Sequence, residues 1–117
     1  MSHTVLIVED EEDLREMMRD ALELSGFTVV TAQEGQDALE KISKIEQLCL
    51  VLLDLLMPGM NGWEFFEKLR QRPELAAVPV VVHSSLPHRA PAGVTRVLQK
   101  PVLLDQLVSV VREYCQN

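Results

Sequence analysis

Basic residues never cluster in this chain. The 11 lysines and arginines are scattered and outnumbered by 18 acidic residues, giving a formal net charge of −7. Phosphate contacts need clustered Lys and Arg, so nucleic acid is not expected as a direct partner. The acidic balance suits a metal-dependent site or a basic protein partner. Long hydrophobic runs are also missing. The longest is far too short to cross a bilayer, so no membrane association is expected. A signal peptide is not seen either, because Met1-Ser2-His3-Thr4 leads directly into a strand-like run. Cysteine is scarce, with only Cys49 and Cys115 present. Two cysteines make no disulfide framework, and Cys49, inside an apolar run, reads as a small buried hydrophobe. A reducing, cytoplasmic location is the expectation that follows.

What is present is an ordinary globular composition, 47% hydrophobic and 25% charged. At 117 residues the chain reads as one domain, 1–117, large enough for a real core. Strand and helix signals alternate along it. Thr4–Val8 is an apolar β run, followed by Leu14, Met17, Met18, Ala21, Leu22 and Ser25 at helical spacing, with Gly26 as the stop. Phe27–Thr31 reads as the second strand. A helix after Gly35 places Ala38, Leu39, Ile42 and Ile45 on one face. The third strand, from Leu48, ends at Asp54, and the breaker-rich 57–62 stretch forms a loop. A third helix carries Trp63, Phe66 and Leu69 and ends before Pro73. Pro79–His83 and Thr95–Leu98 read as strands four and five. Residues 102–114 form the last helix, with Leu104, Leu107, Val108 and Val111 as its stripe.

Five strands alternating with helices imply an α/β fold, a parallel sheet with right-handed crossovers and helices on both faces. The nearly continuous Val/Leu/Ile strands agree, since such strands are buried on both sides. One connection is irregular. Removing strand five from the Ser84–Lys100 segment leaves roughly ten residues, near the ~10–12 minimum for a complete crossover. Pro87, Pro91 and Gly93 within it oppose a regular helix. The expectation is an irregular loop or a single turn.

The chemistry gathers at strand ends. Glu9 and Asp10 follow the first strand and Asp54 ends the third. Carboxylates so placed would repel one another and raise their pKa values unless a divalent cation intervened. Mg²⁺ prefers hard oxygen ligands and accepts a few carboxylates with a phosphate oxygen. Ser84 ends strand four with a hydroxyl, and Lys100, held before Pro101, follows strand five with an ammonium. Metal carboxylates, a hydroxyl, an ammonium and one further Asp as nucleophile are what phosphoryl transfer to a carboxylate requires.

The segments Thr4–Glu11, Leu53–Gly62, Ser84 and Lys100-Pro101 together resemble the receiver domain of two-component response regulators. The resemblance spans essentially the whole chain and implies a flavodoxin-like, doubly wound sheet in strand order 2-1-3-4-5. It further implies that Asp54 accepts a phosphoryl group from a histidine kinase or histidine phosphotransfer protein. In that reading Asp10 is the direct Mg²⁺ ligand, Glu9 acts mainly through water, and the Leu56 carbonyl completes the set with Asp54. Ser84 and Lys100 contact the phosphoryl group, and the Lys100–Pro101 peptide is often cis in the family.

Several residues depart from the pattern. The fourth crossover helix is shortened or lost. Val97 stands where the family tends to place an aromatic three residues before the lysine, so an aromatic rotamer switch is excluded and a plain core valine is expected. Ser85 follows Ser84 and is a second candidate donor. His83 reads as a packed strand residue, with no histidine-containing metal cluster to recruit it. Leu56 and Leu86 replace side chains that help place the hydrolytic water, and neither can hydrogen-bond one, so self-dephosphorylation is expected to be slow. The leading reading is a phosphoacceptor with no output domain encoded after Tyr114. A phosphorylation-independent pseudo-receiver acting as a binding module would tolerate loss of Asp54 or Lys100, and both are present. A Mg²⁺-dependent aspartyl-phosphate hydrolase usually has a second Asp two residues after the first, where Leu56 stands.

Overall fold

Alternation in the strands sorts the core into two halves. The computed structural model describes residues 4–57 and 59–115. Its strands are β1 (Thr4–Val8), β2 (Thr28–Ala32), β3 (Leu48–Asp54), β4 (Val80–Ser84) and β5 (Arg96–Gln99). Four helices, α1 (Glu12–Leu24), α2 (Gly35–Ile42), α3 (Gly62–Arg70) and α4 (Leu104–Tyr114), link or follow them. Every strand pair is parallel, in the order β2-β1-β3-β4-β5. This is the flavodoxin-like doubly wound order.

Successive side chains of a strand point to opposite faces, and the burial follows. Leu6, Val8, Val51, Leu53, Val80 and Val82 pack on one face with Ala38, Leu39 and Ile42 of α2 and Phe65, Phe66 and Leu69 of α3. Val5, Ile7, Leu50, Leu52 and Val81 pack on the other with Met18 and Leu22 of α1 and Leu107, Val110 and Val111 of α4. β1, β3 and β4 are sandwiched, which is why their sequences are almost uninterrupted Val, Leu and Ile.

The strands expected at 27–31, 79–83 and 95–98 each sit one residue later along the chain. Phe27 and Pro79 belong to the connections before them. Helix α2 stops at Ile42, so Ile45 lies in the following turn, yet it still packs on the same core. Met17 is turned outward and 52% exposed, while Met18 is buried. Gly26, at φ 97, ends α1 in a conformation that side chains resist.

Between β4 and β5 the described residues contain one 3₁₀ turn, Pro87–Arg89, in place of a crossover helix. Trp63 on α3 donates its Nε1–H to the Arg89 carbonyl at 2.8 Å and so ties this segment down. Ala90, Val94 and Val97 pack as partly buried residues on the α2/α3 side of the core. Val97 is the packed valine that its sequence context suggests.

The reading of Cys49 as a lone buried hydrophobe is corrected. Cys49 and Cys115 form a disulfide across 66 residues of sequence, with Cα atoms 5.5 Å apart. The cause is topological. β3 begins, and α4 ends, at the same edge of the molecule, so a strand residue and a helix-end residue distant in sequence become neighbours.

Candidate functional site

Four strands deliver a functional side chain at their carboxyl ends. Glu9 follows β1, Asp54 ends β3, Ser84 ends β4, and Lys100 follows β5. Glu9, Asp54 and Ser84 are buried, an unusual placement for polar groups and an expensive one unless they are partnered. The partner is Lys100. Its Nζ lies 3.1 Å from Glu9 Oε1 and 3.4 Å from Asp54 Oδ1, with the lysine side chain 23% exposed. The Lys100–Pro101 peptide that presents it is cis.

Local backbone contacts hold these groups. The Glu11 N–H donates to Glu9 Oε2 at 3.0 Å, and the Leu56 N–H donates to Asp54 Oδ1 at 3.3 Å. Arg15 Nη1 reaches back from α1 to the carbonyls of Glu9 and Asp10, at 2.9 and 3.4 Å. Gly62 opens α3 directly against the end of β3. A Cβ there would stand 2.6 Å from the Asp54 carbonyl oxygen and from Leu55 Cα, so no larger residue fits without moving the strand end. Asn61 caps this helix, its side chain accepting from the Glu64 N–H at 3.0 Å.

Of the two serines, Ser84 points inward and Ser85 is exposed. The Ser84 hydroxyl accepts from the Leu86 N–H at 3.0 Å. Asp10 is exposed at the rim, and Leu56 is 48% exposed beside Asp54. Arg15 carries no signal in a motif; only its helical position, five residues after Asp10, could have suggested it.

The electrostatics show an incompletely compensated cluster. Burial pushes the Glu9 carboxyl up to about 7, and the neighbouring Asp54 charge adds to the rise despite Lys100. Asp54 is likewise raised by burial, against the lowering pull of Lys100. Burial alone would lower the Lys100 ammonium, but the two carboxylates outweigh it and hold Lys100 above its ordinary value. Glu9 Oε1 meets Lys100 only as an ion pair and makes no hydrogen bond among the described residues. One ammonium is therefore shared by two buried carboxylates, with a third, Asp10, exposed at the rim. A divalent cation fits this donor set.

The expectation that no histidine joins such a cluster is corrected. His83 lies directly opposite Asp54 in the β3–β4 register. It is completely buried, with Nδ1 3.5 Å from Glu9 Oε1. The register of two adjacent strand ends is what brings it there, and that register is not readable from spacing.

The response regulator receiver domain family matches residues 5–112. The chain belongs to this family. The receiver domain is 34% identical over 113 residues to the C4-dicarboxylate transport transcriptional regulatory protein DctD of Rhizobium meliloti, covering 93% of this chain and 24% of that protein. It is 34% identical over 116 residues to the response regulator MprA of Mycobacterium ulcerans, covering 96% and 50% respectively. The receiver domain thus spans half or less of the length of these curated relatives. Among solved structures it resembles the chemotaxis protein CheY4 of Vibrio cholerae, with a TM-score of 0.86 and 26% identity over 97% of this chain and 99% of that one. The response regulator TrrA of Thermotoga maritima, solved in complex with Mg(2+)-BeF, aligns with a TM-score of 0.83 and 25% identity, covering 96% and 98%. The acidic cluster of this receiver domain is a pocket of the kind in which receiver domains bind Mg²⁺.

Proposed function

We propose that this receiver domain, residues 1–117 taken as one unit, is a phosphoacceptor of a two-component or phosphorelay system, with Asp54 as the acceptor. The observation that carries this reading is the placement of Lys100 Nζ within 3.4 Å of a buried Asp54 oxygen, beside the inward-facing Ser84. An Asp54 oxygen attacks the phosphorus of a phosphohistidine. A phosphorus–oxygen bond forms, the phosphorus–nitrogen bond breaks, and the imidazole keeps the electron pair and takes up a proton from solvent. Lys100 follows the negative charge from the carboxylate onto the phosphoryl oxygens, and the Ser84 hydroxyl turns from the Leu86 N–H to donate to one of them.

Asp10, Asp54 and the Leu56 carbonyl would hold Mg²⁺, with Glu9 acting mainly through water. Bound there, the ion supplies charge neutralisation that lets an anionic phosphodonor approach an anionic pocket. The donor is a histidine kinase or a histidine phosphotransfer protein. A shallow groove beside the site, lined by Leu14, Met17, Pro101 and Val102 with Glu11 and Lys100, offers that donor an apolar landing surface. The cytoplasmic setting in this reading rests on the family alone, because reducing compartments do not preserve a disulfide such as Cys49–Cys115.

The test is incubation with Mg²⁺ and a small-molecule phosphodonor, read by intact mass. One phosphoryl group is expected on the chain and none on Asp54→Asn. An unchanged mass, or a gain that survives Asp54→Asn, would refute the assignment.

A further inference from the structure

We infer that Glu9, Asp54 and His83 form a mixed carboxylate–imidazole site for a borderline divalent transition metal, with Zn²⁺ the ion that fits it. Both ring nitrogens of His83 are buried without a hydrogen-bond partner among the described residues, and so is Glu9 Oε1. Buried polar atoms left without hydrogen bonds are costly and rare, and here a fully buried imidazole with neither nitrogen hydrogen-bonded faces a carboxylate oxygen whose partner is the Lys100 ammonium. One ligand atom from each of the three residues lies within 4.8 Å of the others. The His83 Nδ1 to Glu9 Oε1 distance of 3.5 Å is close to the donor separation of roughly 3.4 Å that a tetrahedral ion with ~2.0–2.1 Å bonds imposes.

The chemistry of the donors decides which ion. Mg²⁺ takes oxygen ligands and uses no imidazole, whereas a neutral imidazole with carboxylates suits zinc and its neighbours. The two cysteines are joined to each other and offer no competing thiolate.

Lys100 already serves as the cation of this pocket, so the metal has to displace it. The lysine side chain, partly exposed, has an exit to solvent. With Lys100 swung out, Glu9 and Asp54 balance the ion's two charges. Zinc on Asp54 would also exclude a phosphoryl group from it. That consequence rests on the phosphoacceptor reading; the binding site itself does not.

The chain has three histidines, His3, His83 and His88. The experiment uses the His3→Ala, His88→Ala double variant, so that any imidazole seen is His83, in buffer without reductant. Zn²⁺ affinity is measured by competition with a chromophoric chelator, Mg²⁺ affinity by calorimetry, and the zinc shell by X-ray absorption. One histidine with oxygen ligands is expected in the shell, with Zn²⁺ bound more tightly than Mg²⁺. Adding His83→Leu should weaken Zn²⁺ by at least ~10-fold, one step of the affinity scale, while Mg²⁺ stays within about twofold. Lys100→Ala should tighten Zn²⁺. An all-oxygen shell, zinc no tighter than magnesium, zinc affinity indifferent to His83→Leu, or a parallel loss of Mg²⁺ would each overturn the site. If circular dichroism shows the His83→Leu chain misfolded, the absorption spectrum of the parent chain decides.

Discussion

Trp63 donates its indole N–H to the main-chain carbonyl of Arg89, 2.8 Å away, and so joins helix α3 to the single 3₁₀ turn that replaces a crossover helix. A short segment with little helical hydrogen bonding, such as the Arg89 N–H donating to the Leu86 carbonyl at 3.0 Å, has few ways to order itself, and the Trp63 bond is one of them. Trp63→Phe keeps an aromatic ring and removes the donor. It should cost ~1 kcal/mol, the net worth of one hydrogen bond, and speed amide exchange over residues 85–94 while β1 and β3 stay protected. Unchanged exchange in that segment would show that the contact does not hold it.

Gly62 and Asp54 are coupled by packing and not by charge. A Cβ at position 62 would press on the Asp54 carbonyl at 2.6 Å, against backbone that cannot step aside. Gly62→Ala should destabilise the fold by ~1–3 kcal/mol, the usual cost of overpacking. It should also slow phosphoryl uptake at Asp54 more than Gly93→Ala does, since a side chain at position 93, though strained by its φ of +95°, meets only the Phe66 ring, at 3.7 Å, and not the site. Equal uptake by the two variants would separate the glycine from the site.

Residue patterns carried the architecture because the physics there is local. The nearly unbroken Val/Leu/Ile runs of β1, β3 and β4, and the prolines at 87 and 91, needed no knowledge of the fold. The same holds for the carboxylates at strand ends, whose charge is conspicuous beside apolar runs. What could not be read was lateral. The Asp54–His83 pairing depends on the register of β3 against β4. The Cys49–Cys115 bond depends on where α4 ends relative to β3. Likewise the stripe of α4 turned slightly, burying Val110 fully and Val108 only in part, because the helix sits on β3 and α1 at an angle that its own periodicity does not determine.

Glu9 and His83 give the metal-free chain opposing responses to pH. Glu9 is raised to about 7, so its neutral form favours folding; that contribution is complete below about 4.5 and is lost as pH rises through 7. Asp54, also raised, acts in the same sense. His83 is lowered to about 3 from 6.5, so its stability is present above 6.5 and is lost as pH falls toward 3. Between about 4.5 and 6.5 His83 offsets the loss from Glu9, and the Asp54 contribution is not offset. In a chelator, the melting temperature should therefore fall less with pH across that window in the native chain than in His83→Leu, which should melt several degrees higher at pH 5 than at pH 8. A variant whose melting temperature is flat or rises with pH would contradict the assignment of Glu9.

The Cys49–Cys115 bridge spans 66 residues, and the chain-entropy relation gives about 4 kcal/mol for closing a loop of that length. Dithiothreitol should lower the melting temperature by on the order of 10 °C, and Cys115→Ser should do the same without reductant. Loosening should start at the C-terminal end of α4, where Cys115 is anchored, and leave the Lys100 end of the sheet in place. The reading fails if the unreduced, denatured chain titrates two free thiols.

Leu56 and Leu86 surround Asp54 and Ser84 with main-chain donors and aliphatic side chains. The Leu56 N–H binds Asp54 Oδ1 and the Leu86 N–H binds Ser84 Oγ, but neither side chain can orient a water for attack on an aspartyl phosphate. Leu56 is half-exposed, so a polar replacement meets no packing penalty and faces the incoming water directly. Leu56→Asn should shorten the phosphoryl half-life by on the order of 10-fold, below the ~10²–10⁴ that a positioned general base contributes, because an amide orients a water without taking its proton. Leu56→Val, aliphatic like the native residue, should leave the half-life unchanged. The measurement is decay of the phosphorylated mass after the donor is removed, in excess Mg²⁺. Equal half-lives for the native chain and Leu56→Asn would mean that water reaches the phosphoryl group without a side chain to place it, and that the longevity of the signal is set elsewhere.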